Sequence, residues 1–144
     1  MFLLTHELIH LTSGLMLGII FYLIYKQKSV VVFSVLLSLV IDIDHMFDLL
    51  IYSSQNKQHF NLFLLFSDYF HKSGKVYVFL HSYEIVLLFI FIAFLFPKFV
   101  KYFFLMSISM FTHIIIDQLT YNPVFLEYFF SYRLINSFSI EAFK

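Results

Sequence analysis

Four long apolar runs constrain what this chain can fold into. They are Leu8–Tyr25, Val30–Ile51, Tyr77–Phe96 and Val100–Leu119, and each contains 18 to 22 residues that are mostly apolar. An α-helix needs about 20 such residues to cross the hydrocarbon core of a bilayer. The chain is 61% apolar and contains 22 phenylalanines, more than a soluble domain of 144 residues could bury. The runs therefore predict four membrane-spanning helices.

The connections between the runs predict how these helices are arranged. Residues 26–29 join the first two runs, and a short turn around Pro97 joins the last two, so each pair is expected to form an antiparallel hairpin. We therefore predict an all-α fold in which residues 1–144 form a single membrane-embedded domain. Its architecture is an up-down-up-down bundle of four helices.

Two further segments complete this prediction. Residues 52–76 alternate between polar and amphipathic stretches, and we expect this loop to lie in the membrane interface over one end of the bundle. Residues 124–144 are aromatic but are broken by Glu127 and Arg133, which predicts an interfacial C-terminal segment and not a fifth span. Glu127 and Arg133, like Glu7 near the start of the chain, are interpreted as interfacial charges.

Small residues four positions apart occur in the first two runs. Gly14 and Gly18 lie in the first run, and Ser34 and Ser38 lie in the second. Small residues at this spacing allow two helices to approach closely. Packing inside the bundle is the favoured interpretation, and a dimerisation face is the alternative.

Charge and cysteine content exclude several classes of function. The formal net charge is zero, so no basic surface indicates binding to nucleic acid. Cysteine is absent, which excludes disulfides, thiolate chemistry and cysteine-ligated zinc. The first run is preceded by His6 and Glu7 instead of lysine, so we expect it to be a retained helix and not a signal peptide.

Ionisable side chains are concentrated at corresponding ends of the four runs. In an up-down-up-down bundle, the starts of the first and third helices lie beside the ends of the second and fourth. Ionisable residues within membrane helices are costly and usually mark a functional site. The ten that this arrangement places at one end are His6, His10, Asp42, Asp44, His45, Asp48, His81, Glu84, His113 and Asp117.

Local spacing predicts that each helix turns some of these side chains inward. Residues three or four positions apart share one helix face. The pairs with this spacing are His6/His10, His45/Asp48, His81/Glu84 and His113/Asp117. Asp42 and Asp44 point in different directions at about 100° per residue. Unless the helix deforms there, one of these two aspartates is expected to support another ligand and not to bind the metal itself. Spacing alone does not show which aspartate that is.

Converging imidazoles and carboxylates predict a bound metal. Such groups are expensive to bury unpaired, whereas a divalent cation neutralises the carboxylates and accepts the nitrogen lone pairs. Nitrogen and oxygen ligation suits zinc, the favoured ion, or manganese or iron, and the number of ligands allows one or two ions. The predicted metal ligands are His6, His10, Asp42, Asp44, His45, His81, His113 and Asp117.

The other ionisable residues receive different interpretations. Asp48 and Glu84 are the predicted catalytic residues, because a carboxylate beside a metal can act as a general base. His59, Asp68 and His71 lie in the loop and are interpreted as solvated residues, with a contribution to a lid as the alternative.

The order of these motifs resembles a known family. The motifs are Asp42-Ile43-Asp44-His45, His81-Ser82, and the stretch THIIIDQLT at residues 112–120. They resemble the pattern of the small inner-membrane metal-dependent hydrolases, a family that includes a LexA-regulated bacterial member. His10, followed by Gly14 and Gly18, is similar to the opening helix of that family. The resemblance extends from residue 5 to about residue 123.

This resemblance implies a location and a site. It implies a hydrolase of the bacterial inner (cytoplasmic) membrane. Its implied metal set is Asp42, Asp44, His45, His81, His113 and Asp117, with His6 or His10 added. Longer members of the family have a further histidine shortly before the His-Ser pair. Here Tyr77–Leu80 precedes that pair, so only His71 could substitute.

Three functions are weighed. The first is a membrane-bound metal-dependent hydrolase that acts on an amphiphilic (phospho)ester, with a membrane lipid or lipid-linked molecule as substrate. The second is a metal-clamped structural or assembly subunit, in a homo-oligomer or a larger membrane complex, whose metal would have no position left for water. The third is a metal or proton transporter, disfavoured because Leu15–Tyr25 and Ile85–Phe96 offer almost no polar groups for a pathway.

Lysines in the short loops predict the orientation. Lys26, Lys28, Lys98 and Lys101 flank the two short connections, and short-loop cations favour the cytoplasmic side. We therefore expect the predicted metal end to face outward.

Overall fold

The structure is a computed structural model that describes residues 3–66, 73–121 and 124–143. Within these ranges the regular structure is helical, apart from one isolated antiparallel bridge between Lys75 and Ser139. The α-helices are α1 (Leu3–Tyr25), α2 (Lys28–Val40), α3 (Asp44–Gln55), α4 (Tyr83–Leu95), α5 (Val100–Tyr121) and α6 (Phe130–Ile135). Short 3-10 turns connect several of them. The predicted all-α class is therefore confirmed for the described residues.

Within the described residues, three helical stretches are long and apolar enough to cross a membrane. They are Thr5–Tyr25, Lys28–Gln55 and Pro97–Tyr121. Their outer surfaces expose large apolar side chains, such as Met16 at 60% and Ile24 at 65% exposure on α1. Continuous apolar surface of this kind is unfavourable in water and suits a lipid environment. The structure thus supports association with a membrane.

The third apolar run differs from its prediction. We predicted a span over Tyr77–Phe96, but α4 begins at Tyr83 and contains 13 residues. At 1.5 Å per residue it is about 20 Å long, shorter than the roughly 30 Å hydrocarbon core. The preceding residues are drawn out of the helix because two aspartates accept hydrogen bonds from their backbone: Tyr77 N–H donates to Asp48 Oδ1 at 3.1 Å, and Leu80 N–H to Asp44 Oδ2 at 2.7 Å.

The second apolar run contains a break. A 3-10 turn at Ile41–Ile43 separates α2 from α3, although the stretch from Lys28 to Gln55 stays helical throughout. A 3-10 turn winds more tightly than an α-helix, so it changes the directions of nearby side chains. The break lies at the Asp-x-Asp-His motif, where the sequence raised the question of a deformed helix.

Small residues pack α1 against α2. A Cβ atom built on Gly14 would lie 2.7 Å from the Cβ of Ser38, and one on Gly18 would lie 2.9 Å from the Cα of Val31. Ser34 Oγ donates a hydrogen bond to the carbonyl oxygen of Gly14 at 2.7 Å. The small residues of both runs therefore serve close helix packing within one chain.

Helix α5 is central to the packing, since it contacts α1, α2 and α4. Near the short loops, one buried apolar cluster joins α1, α2 and α5 and consists of Phe21, Val30, Leu37 and Leu105. A second cluster lies closer to the polar end and consists of Ile41, Tyr83, Val86, Met110 and Ile114. The α5 side chains His113 and Asp117 therefore project from a helix that is held on several sides.

The interpretation of Glu127 and Arg133 as interfacial charges is wrong. Glu127 is 4% exposed and Arg133 is 1% exposed. Arg133 donates hydrogen bonds to the carbonyl oxygens of Val78 and His81, and Glu127 Oε1 accepts one from Val124 N–H at 2.9 Å. Both side chains fold inward because the protein supplies their hydrogen-bond partners.

The loop between α3 and α4 is described in part. Residues 57–63, including His59, are exposed, and a 3-10 turn covers Leu62–Phe66. Phe63 is 80% exposed, as expected for an apolar side chain at a membrane interface. Asp68 and His71, interpreted as solvated loop residues, lie outside the described residues.

Candidate metal centre

Eight of the predicted site residues converge at one end of the molecule. They are His6, His10, Asp42, Asp44, His45, His81, His113 and Asp117. They come from the start of α1, the 3-10 turn and start of α3, the residues before α4, and the second half of α5. Asp42 and His45 are partly buried, and the other six are buried. Burial of this many imidazoles and carboxylates in one place requires a specific partner for them.

One set of four facing atoms lies close together around the Nε2 atoms of His81 and His113. This four-atom group consists of Asp42 Oδ1, His81 Nε2, His113 Nε2 and Asp117 Oδ2. His81 Nε2 lies 3.1 Å from His113 Nε2, 3.3 Å from Asp42 Oδ1 and 3.4 Å from Asp117 Oδ2. His113 Nε2 lies 3.2 Å from Asp42 Oδ1 and 3.5 Å from Asp117 Oδ2. Ligands of a tetrahedral zinc ion are about 3.3–3.5 Å apart. His81, His113 and Asp117 form a combination that could hold a metal ion, and Asp42 Oδ1 lies close to both histidines.

A second set of atoms faces the other oxygen of Asp117. This three-atom group consists of His6 Nε2, His10 Nε2 and Asp117 Oδ1. The two nitrogens are 2.9 Å apart, and they lie 3.1 Å and 3.0 Å from the oxygen. Three ligand atoms at nearly equal distances form one face of a tetrahedron. A metal held this way keeps a fourth position for water or substrate, as in catalytic zinc sites.

Asp117 joins the two groups. Its Oδ1 faces His6 and His10, while its Oδ2 faces His81 and His113. Carboxylates that face two ions occur in the dinuclear sites of helix bundles. A metal ion could therefore be held on either side of Asp117. The expected number of ions, one or two, stays a prediction.

Asp44 supports His81 from the opposite side. Its Oδ2 lies 3.1 Å from His81 Nδ1 and also accepts a hydrogen bond from Leu80 N–H. A carboxylate on Nδ1 places the ring proton there and leaves the Nε2 lone pair free for a metal. Asp42, in contrast, belongs to the four-atom group. The two aspartates therefore face different nitrogens of His81, Asp42 the Nε2 atom and Asp44 the Nδ1 atom.

Ring contacts fix the orientation of the histidines. His10 and His113 stack with centroids 3.7 Å apart, and His6 meets His10 edge-on at 4.3 Å. His45 stands at the margin of the site, with its Nε2 3.7 Å from Asp42 Oδ1 and its ring 4.9 Å from that of His81. Asp42, His45 and His81 form a third combination that could hold an ion.

The two predicted catalytic carboxylates have other contacts. Asp48 is buried and accepts a hydrogen bond from Tyr77 N–H. Glu84 Oε2 accepts hydrogen bonds from Ser82 Oγ and Phe130 N–H, and its Oε1 accepts them from the N–H and Oγ of Ser131. These contacts stabilise the residues before α4 and the start of α6. The role of either carboxylate as a general base stays a prediction.

Sequence reasoning missed Arg133 as a residue of this region. It is fully buried, and its Nη2 donates a hydrogen bond to the carbonyl oxygen of His81 at 3.0 Å. The available signal was that Arg133 is the only arginine in the chain and lies in an otherwise aromatic segment. Its distance of 52 positions from His81 gave no indication of the contact.

Comparisons with known proteins identify no relative. No family model, curated protein or solved structure matches this chain.

Proposed function

We propose that this protein is a membrane-bound metal-dependent hydrolase that acts on an amphiphilic (phospho)ester at the membrane surface. The observation that carries the proposal is the three-atom group. His6, His10 and Asp117 supply three ligand atoms at 2.9–3.1 Å from one another, and a metal bound there keeps room for a reactant. The motif resemblance to the small inner-membrane metal-dependent hydrolases agrees with this proposal and suggests the same bacterial membrane.

The residues of the site have distinct tasks in this proposal. His6, His10 and Asp117 would hold one ion. His81, His113, Asp42 and Asp117 would hold a second. A bound zinc ion supplies Lewis acidity, which lowers the pKa of water and polarises a phosphoryl or acyl oxygen. Asp48 and Glu84 are the carboxylates that we propose as proton acceptors.

A lipid or lipid-linked substrate suits the surroundings of the site. The ligands come from the ends of helices whose outer surfaces are apolar, as Leu8 and Ile9 show beside His10 with exposures of 51% and 39%. An ester group held at headgroup level could reach the site while its hydrocarbon chain stays in the bilayer. We propose that α1, the α2–α3 stretch, α4 and α5 cross the membrane in alternating directions.

A structural role is the second candidate, and the four-atom group favours it. Asp42, His81, His113 and Asp117 supply four candidate ligand atoms, and a four-coordinate ion bound by all of them would have no position left for a reactant. An ion there would clamp the α2–α3 break, the residues before α4, and α5. In this candidate the protein would serve as a metal-stabilised subunit of a homo-oligomer or larger complex.

Metal analysis combined with a substrate panel tests the proposal. The purified protein, loaded with zinc in detergent, is offered lipid and polyprenyl phosphoesters, with and without chelator. We expect chelator-sensitive turnover that His10→Ala abolishes and His59→Ala, a change of an exposed loop histidine, leaves intact. Zinc content of two ions without turnover on any ester would contradict the hydrolase and favour the structural role.

A further inference from the structure

The backbone that presents His81 is not part of a helix. Residues 76–82 lie between the isolated bridge at Lys75 and the start of α4, and Ser82 is extended, with φ −146° and ψ 133°. A helix fixes side-chain direction through its own backbone hydrogen bonds, and this stretch lacks that support. Other groups must therefore determine where His81 Nε2 points.

Arg133 supplies that support on one side. Its Nη1 donates to the carbonyl oxygen of Val78, and its Nη2 donates to that of His81 at 3.0 Å. The planar guanidinium holds its donors in a rigid fork, so two carbonyls bound together are fixed relative to each other. Arg133 is 1% exposed, so water does not compete for these donors.

Other contacts hold Arg133 in place. Glu84 accepts hydrogen bonds from Phe130 N–H and Ser131 N–H at 2.9 Å, which attaches the start of α6 to the start of α4. Further along, Val76 N–H donates to the carbonyl oxygen of Phe138 at 2.9 Å. The described C-terminal residues thus attach to the chain on both sides of His81, with Arg133 between the two attachments.

We propose that Arg133 is a positioning residue for the metal ligand His81. Asp44 aligns the ring through Nδ1, and Arg133 aligns the backbone through the carbonyl, so the two together direct Nε2 into the four-atom group. The inference rests on the proposed metal centre but is independent of the reaction. It gives the C-terminal segment a task beyond packing, because this segment would determine affinity at one of two metal positions.

Cobalt titration of metal-free protein in detergent tests the proposal. Cobalt(II) replaces zinc, and its visible spectrum reports ligand geometry. We expect wild-type protein to bind two ions and Arg133→Gln to bind one of them about 10–100-fold more weakly, the usual effect of removing a group that orients a metal ligand. The spectrum of that ion should change, while the ion at His6 and His10 keeps its affinity. Arg133→Lys should restore part of the affinity, since an ammonium group can donate to one carbonyl.

Matched controls separate positioning from folding. Ile135→Ala changes the same short helix at a residue that is 81% exposed, and we expect it to bind cobalt as wild type does. If Arg133→Gln does not fold, Arg133→Lys takes its place, provided that its helicity equals that of wild type. The cobalt affinity and spectrum of Arg133→Lys then decide whether Arg133 positions His81. Wild-type affinity and spectrum in the folded variant would overturn the inference and leave the metal proposal standing. Wild-type protein that takes up no cobalt would overturn both.

Discussion

Asp117 is the residue that contacts both histidine pairs of the candidate metal centre. Each of its oxygens faces a different histidine pair, at 3.0–3.1 Å on one side and 3.4–3.5 Å on the other. The sequence placed Asp117 on the same helix face as His113, because the two are four residues apart. It could not show that the carboxylate would also reach α1, since that contact depends on how α1 and α5 pack.

Removal of Asp117 should therefore affect two ions at once. We expect Asp117→Ala to lower zinc content by nearly two ions per chain, whereas His10→Ala should lower it by about one. The measurement is zinc per protein by elemental analysis after dialysis against a fixed free-zinc buffer. Equal losses from the two variants would contradict the shared carboxylate.

Asp44 should act through His81 and not as a ligand. We expect Asp44→Asn to keep the metal but to weaken one position about 10–100-fold, because the amide no longer holds the Nδ1 proton as a carboxylate does. Asp42→Asn removes a ligand atom and should cost more. Competition with a chromogenic chelator measures both affinities. If Asp44→Asn binds metal more weakly than Asp42→Asn does, Asp44 would be the ligand and Asp42 the supporting residue.

Glu127 gives a pH dependence of stability that can be tested separately. Burial raises the pKa of its carboxyl to about 7, although Val124 N–H and Arg133 act in the opposite direction. The folded state therefore binds this proton more tightly than the unfolded state, so stability is lost as pH rises from about 4.5 to 7. We expect Glu127→Gln to melt on the order of 5 °C higher than wild type at pH 8 and equally at pH 5. If the difference in melting temperature between wild type and Glu127→Gln is the same at both pH values, the predicted cost of ionising the buried Glu127 carboxyl is contradicted.

Among the elements, α1 and α2 show what the sequence could predict well. Their apolar length and small-residue spacing predicted two closely packed helices, and both features depend on local pattern alone. The start of α4 shows the opposite case. The run from Tyr77 is as apolar as a helix requires, but Asp44 and Asp48 accept backbone hydrogen bonds there from more than 25 positions away, at separations of 36 and 29 residues. No local sequence pattern shows that distant aspartates will accept hydrogen bonds from these backbone N–H groups.

Close packing of α1 and α2 leads to a test at Gly18. A Cβ there would lie 2.9 Å from the backbone Cα of Val31, which cannot move aside as a flexible side chain could. We expect Gly18→Ala to destabilise the protein by about 1–3 kcal/mol, the usual cost of overpacking. Thermal melting in detergent measures the change, and Ile19→Ala, at a residue 46% exposed, serves as the control. A Gly18→Ala variant as stable as the control would show that the two helices can separate at little cost.

At the scale of the whole molecule, the candidate metal centre connects segments that are far apart in the sequence. The proposed ligands come from α1, the α2–α3 break, the residues before α4, and α5. Membrane helices lack a strong hydrophobic drive to associate with one another, so polar contacts and packing hold them together. The centre is therefore expected to contribute to the stability of the whole fold.

Chelation should reveal this contribution. A ligand that binds only the folded state stabilises it by about 2.7 kcal/mol at a concentration of 100 times its Kd. We expect chelator to lower the melting temperature of wild-type protein by several degrees and to have little effect on Asp117→Ala. Circular dichroism in detergent measures both. If chelator lowers the melting temperature of both proteins equally, its effect does not come from removing metal at Asp117.

The short length of α4 has a consequence for the surrounding bilayer. Its 13 residues cover about two thirds of the usual hydrocarbon thickness, whereas α5 has 22 residues. If α4 crosses the membrane as we propose, local thinning of the membrane is one way to accommodate this hydrophobic mismatch. Lipid headgroups beside α4 would then sit deeper than elsewhere, closer to His81 and its neighbours. The protein would in this way deform the membrane toward the candidate metal centre and shorten the path of the lipid ester that we propose as substrate.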